Sequence, residues 1–136
     1  ARIFMGDGGS GFLGFTFGVL SLVSTLQVPT LFWGWVILLG VFIVDATSTL
    51  FARLRRRLRL SEAHRSHAYQ YAARRIGRHW PVSAVVALIN LLWLLPMAAV
   101  AALGWLDGWI ATVVAYAPLI VLARYFRAGA AELQEV

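Results

Sequence analysis

The sequence predicts an all-α fold: a polytopic transmembrane helix bundle of about four spans, with one short further helix at the membrane surface. Three observations carry that prediction. Hydrophobic residues make up 60% of the 136 positions and charged residues only 13%, with a mean hydropathy of +0.75. A soluble domain of this size could not cover itself with so little polar surface. The apolar residues fall into runs of the roughly 20 needed to cross about 30 Å of hydrocarbon. The cations are segregated: all twelve are arginine, and nine lie between Arg53 and Arg78.

The first span is expected at about 10–28, rich in Gly, Phe and Leu, and its Gly14 and Gly18 form a small-x-x-x-small pair that permits close helix approach. The second runs over about 30–52 and contains one carboxylate, Asp45. The third covers about 81–103. Its Pro96 is expected to kink it, and its Asn90 to hydrogen-bond to a neighbouring helix. The fourth covers about 106–123. Between the second and third lies a basic loop, 53–79. Its Arg53–Arg59 stretch continues the second helix toward lipid phosphates. Ser61 then caps a short helix that Gly77 ends.

Four spans place every arginine on one side, which the positive-inside rule makes the cytoplasmic side. The two short turns on the other side carry no basic residue, and Trp105 and Trp109 suit an interfacial belt there. The net charge of +6 is thereby explained by topology, and nucleic acid is not expected as a partner. The absence of cysteine excludes disulfides and thiolate metal sites. No basic n-region or cleavage site precedes the first apolar run, so it does not read as a signal peptide.

Three groups of residues could carry chemistry. Asp7 sits in Ile3-Phe4-Met5-Gly6-Asp7-Gly8-Gly9-Ser10, at the mouth of the first span. Glycines allow close backbone approach to a ligand, a helix N-terminus attracts anions, and a carboxylate there can hold Mg²⁺ against a diphosphate. Equally, Asp7 can simply cap the helix. Asp45, inside the second span near its basic end, is a functional candidate by its cost in lipid, or a hydrogen-bonding group toward a neighbouring helix or Arg53. His64 and His67 share one helix face with Tyr71 and Arg75. They could bind a metal, bind phosphate beside the arginines, or lie on a solvated loop helix.

Taken together, these motifs resemble a known pattern. Met5-Gly6-Asp7-Gly8-Gly9-Ser10-Gly11-Phe12-Leu13-Gly14 resembles the signature of the polyprenyl-phosphate N-acetylhexosamine-1-phosphate transferases (MraY/WecA-like, glycosyltransferase family 4). Ile43-Val44-Asp45-Ala46-Thr47 is similar to the family's next acidic segment, and Glu62-Ala63-His64-Arg65-Ser66-His67-Ala68-Tyr69-Gln70 to its cytoplasmic histidine loop. The resemblance implies transfer of a sugar 1-phosphate from a UDP-N-acetylhexosamine to undecaprenyl phosphate, with release of UMP and a requirement for Mg²⁺, at the cytoplasmic face of a bacterial inner membrane. It implies that Asp7 is the catalytic, Mg²⁺-associated acid. Gly6, Gly9 and Ser10 would shape the loop around it, and His64, Arg65 and His67 would bind the nucleotide sugar. Asp45 would stand near the same cleft.

The sequence departs from the family's pattern in two ways. Tyr69 stands where the loop often has a second histidine, and the His-Arg-Ser-His-Ala-Tyr-Gln form looks like the branch that begins O-antigen or similar surface polysaccharide. The family's adjacent aspartate pair is missing. The resemblance therefore covers the C-terminal half of the family's architecture, and the 136-residue chain alone is expected to be inactive. The competing readings are a non-enzymatic membrane module, such as a transporter half or assembly subunit, and a polybasic lipid-binding anchor. The partners expected are the UDP-sugar, the lipid phosphate and membrane lipids. Oligomeric state is left open, a homodimer being one option.

Overall fold

A computed structural model describes residues 6–55, 71–73 and 76–126, with side chains from Gly8 onward. The main α-helices of the described residues are α1 (Gly6–Gln27), α2 (Leu31–Leu38), α3 (Gly40–Arg55), α4 (Trp80–Ile89), α5 (Leu95–Ala102) and α6 (Gly108–Tyr125). A π-helical turn, Asn90–Leu94, joins α4 to α5. Among the described residues there is no strand. Helices are what lipid demands, because they satisfy their backbone groups within the segment.

Three stretches, Gly8–Gln27, Trp80–Ala102 and Gly108–Tyr125, are long and apolar enough to cross a membrane. The pair α2 and α3 makes a fourth if taken as one span, bent by 61°. The chain is thus an all-α, polytopic membrane bundle. Its exterior is apolar, as a lipid-facing surface must be: Phe12, Phe15, Phe42 and Val121 all stand exposed. The core is narrow and rich in alanine, built from Ile37, Val44, Leu94, Ala98, Ala101, Ala111, Ala115, Leu119 and Ala123. Small residues let helix backbones approach where no hydrophobic effect drives them together.

Local chemistry fixes the helix ends. Asp107 caps α6, its Oδ1 accepting from the N–H groups of Trp109 at 2.9 Å and Ile110 at 3.3 Å. Gly104, at φ +72, closes α5: its N–H donates to Ala101 O, and that of Trp105 to Val100 O. These two bonds form a Schellman motif, whose left-handed residue is best supplied by glycine. Gly77 has the same φ of +72, and its N–H donates to Ala73 O. The predicted glycine stop of the loop helix is therefore present, while the predicted Ser61 cap lies outside the described residues.

Pro96 is accommodated within the third span, Trp80–Ala102. The π turn before it widens the ladder, with Leu95 N–H reaching back five residues to Asn90 O, and so takes up the ring's conflict with the preceding turn. Asn90 donates to Val86 O in its own helix at 2.9 Å, not to a neighbour. The Gly14/Gly18 pair also behaves differently. A Cβ added at either position would meet nothing within 4 Å. At Gly34 a Cβ would be in ordinary contact, 3.8 Å from Ala102 Cβ and from Ala98 O, and the tight approaches fall at Gly40 and Gly108.

Candidate functional site

The two ends of the bundle differ. At the tryptophan end, the turns before α2 and α6 lock onto the end of α5. Thr30 makes no side-chain cap for α2; its hydroxyl donates across to Ala102 O at 2.7 Å, satisfying one of the carbonyls that a helix end leaves over. Trp33 lies 4.8 Å from Trp109, centroid to centroid, and covers Gly108 so closely that a Cβ there would fall 2.1 Å from its ring. The opposite end carries Arg53 and Arg55 on α3, Arg78 and His79 before α4, and Arg124 on α6.

At this arginine end, α3, α4, α6 and the segment around Ala72 and Ile76 enclose a cleft of about 720 Å³. Its wall is mostly apolar, with Asp45, Ser83 and Asn90 as the polar groups. That composition, an apolar cavity with a few convergent polar groups, is typical of a ligand site. Asp45 is half-buried. One and two turns further along α3 come Thr49 and Arg53, 1% and 8% exposed. Spacing of four residues puts all three on one side of the helix. Asp45 and Arg53 are each held by an interaction. A buried arginine at this depth is costly unless partnered.

The residues singled out in the sequence distribute as follows. Gly6 and Asp7 occupy the first turn of α1, with Gly9 and Ser10 directly after. Asp45 lines the cleft. His64, Arg65 and His67 lie outside the described residues. Among the described residues, none of α1 lines the cleft. α1 instead meets α2 through its second half, where Trp35 Nε1 donates to Ser24 Oγ at 2.7 Å and Phe17 rests 6.4 Å from Trp35. At 1.5 Å per residue, Asp7 stands about 25 Å along α1 from that contact, toward the arginine end. No group of three or more His, Asp or Glu side chains comes together among the described residues. Mg²⁺ commonly takes one or two carboxylates, with phosphate oxygens and water completing its shell. The described residues supply a carboxylate of the right chemistry but do not assemble a metal site by themselves.

Three groups at this end went unnoticed in the sequence. Thr49 and the burial of Arg53 had a signal, the i, i+4, i+8 spacing from Asp45. Ser83 had none, being one serine in an apolar run.

A stretch of 71 residues is 39% identical to a protein of Bacillus subtilis (strain 168) named "Probable undecaprenyl-phosphate N-acetylglucosaminyl 1-phosphate transferase". The chain is similar to that transferase. The match covers 51% of this chain and 20% of the relative, so the matched part spans a fifth of that protein's length. No family model matches the chain, and no solved structure does.

Proposed function

We propose that the chain is the C-terminal portion of a membrane transferase that moves N-acetylhexosamine 1-phosphate from a UDP-sugar to undecaprenyl phosphate and releases UMP. The observation that carries this reading is the 39% identity over 71 residues to a relative whose name states an undecaprenyl-phosphate sugar-phosphate transfer. The Met5-Gly6-Asp7-Gly8-Gly9-Ser10 motif at the start of α1 and the cleft at the arginine end support it.

In the proposed reaction an oxygen of the lipid phosphate attacks the phosphorus next to the sugar. The bond from that phosphorus to the oxygen bridging the two phosphates breaks, and UMP carries that oxygen away. Protein groups contribute positioning and charge neutralisation to such a transfer. The arginine end suits this. Arg53, Arg55, Arg78 and Arg124 create a positive field that concentrates an anionic nucleotide sugar at the same surface where lipid phosphates lie. Arg65, His64 and His67 would add hydrogen bonds to the diphosphate. Mg²⁺, when bound, would supply further neutralisation of phosphate charge, with Asp7 as its carboxylate. Gly6, Gly9 and Ser10 would keep the backbone near Asp7 open to the ligand. Asp45 and the apolar cleft would face the same reaction space. The cytoplasmic leaflet of a bacterial inner membrane fits this arrangement, because UDP-sugars are soluble and charged. The O-antigen-initiating branch is the variant that the Tyr69 form of the loop favours.

The test is a panel of UDP-sugars offered to the complete protein in lipid with undecaprenyl phosphate, read by UMP release. UDP-N-acetylhexosamines are expected to turn over and UDP-hexoses not. Absence of UMP from every UDP-N-acetylhexosamine, with the acceptor present, would refute the reading.

A further inference from the structure

The second span is not straight. α2 ends at Leu38 and α3 starts at Gly40, with 61° between them. Leu39, at φ −79 and ψ 3, carries the change of direction. Its own ladder bonds persist, with Leu39 N–H to Trp35 O and Ile43 N–H to Leu39 O at 3.0 and 2.9 Å. In an unbroken α-helix Val36 O would accept from Gly40 N–H, four residues on. Here Val36 O accepts from the hydroxyl of Tyr116 on α6, at 2.7 Å. The ring of Tyr116 occupies the space that a side chain at position 40 would need: a Cβ on Gly40 would stand 2.8 Å from Tyr116 Cε1 and 3.3 Å from Leu119 Cδ1. One residue before Tyr116, Ala115 O accepts from Trp93 Nε1 at 3.1 Å, which ties this part of α6 to the π turn. The donor to Val36 O is therefore anchored from a second side.

We infer that Tyr116 is a positioning residue: its hydroxyl takes the place of the Gly40 N–H at Val36 O and holds the bend that aims α3. In lipid a backbone carbonyl must have a donor, so Val36 O couples the two arrangements. With Tyr116 engaged, the span stays bent. Without it, the carbonyl regains its donor by straightening toward Gly40. The aim of α3 matters because this helix carries Asp45, Thr49 and Arg53. The structural half of the inference stands by itself, while its consequence for turnover rests on the transferase reading.

The chain has no cysteine, so spin labels can be placed at will. Cysteines at Phe32 and Phe51, both exposed, flank the bend. At 1.5 Å per residue their backbones lie about 25 Å apart across the bend and about 28 Å apart in a straight helix. Pulsed electron paramagnetic resonance on the protein in lipid nanodiscs reads this difference. Tyr116→Phe, which keeps the ring and removes the donor, is expected to move the distribution to longer distances. Gly40→Ala, which pushes the ring away, should move it in the same direction, and Thr30→Val at the far end of the span should leave it in place. A Tyr116→Phe distribution superimposable on the wild type overturns the inference. In the complete enzyme, Tyr116→Phe should lower kcat by roughly tenfold and leave KM for the UDP-sugar within about twofold, as misplacement of a reacting group does. A shifted distance with unchanged kcat overturns the functional half. A wild-type enzyme that releases no UMP refutes the transferase reading and leaves the distance measurement to decide the rest.

Discussion

At the tryptophan end, Thr30, Trp33, Ala102 and Gly108 meet in direct contact, with a cross-helix hydrogen bond and a glycine that admits an indole face. At the arginine end, α3, α4 and α6 enclose a cleft of about 720 Å³ with Asp45, Ser83 and Asn90 on its wall. One bundle thus contains a closed end and an open one. The closed end is where backbone groups left over at helix termini are satisfied. The open end leaves room for a ligand and gathers charge around it. Binding regions are drawn from the less tightly packed parts of a fold, so the two ends should respond to substitution in opposite ways.

The largest effect on folding is expected from Gly108→Val. A Cβ there would stand 2.1 Å from the Trp33 ring and must displace it, so overpacking should cost about 2 kcal/mol, read by equilibrium unfolding in mixed micelles. Next comes Val86→Trp, which fills the wall of the cleft. It should leave unfolding near the wild type but reduce UMP release by the complete enzyme about tenfold, equivalent to about 1.4 kcal/mol. If it unfolds the protein instead, the arginine end is core and the contrast fails. Thr30→Val removes the bond to Ala102 O and should cost about 0.6 kcal/mol, the average for interhelical hydrogen bonds in membranes. Smallest is Gly14→Ala, where a Cβ meets nothing within 4 Å. Its effect on unfolding should stay within about 0.5 kcal/mol. A larger loss would show that this face of α1 is covered by a partner outside the described residues.

The spans were legible because hydropathy and length decide them. The fourth was expected at about 106–123 and is found at Gly108–Tyr125, and the third at about 81–103 is found as Trp80–Ala102. Asp107 fell inside the expected fourth span and caps it instead, whereas Gly77 was readable as a helix end from its chemistry alone. The bend at Leu39 was not, because its determinants are a glycine inside an apolar run and a tyrosine 76 positions after it, paired only by the fold. Pro96 predicted a disturbance, and its form is a π turn just upstream. Gly14 and Gly18 carried a local signal for close approach. The tight approaches went to Gly40 and Gly108, which lie against the rings of Tyr116 and Trp33. At the candidate site, Asp45 was legible as an ionisable group in lipid. The stripe it forms with Thr49 and Arg53 required the burial of each to be known.

The central claim is that the arginine end is where a sugar phosphate meets a lipid phosphate, with Asp7 at the start of α1 as the reactive acid. Asp7→Asn keeps the size of the side chain and removes its charge. Measured as UMP release from a UDP-N-acetylhexosamine by the complete protein in lipid, it should cut turnover at least about a hundredfold, with membrane insertion and unfolding unchanged, since a group that stabilises transition-state charge is worth roughly that much. Turnover near the wild-type value in Asp7→Asn would contradict the account.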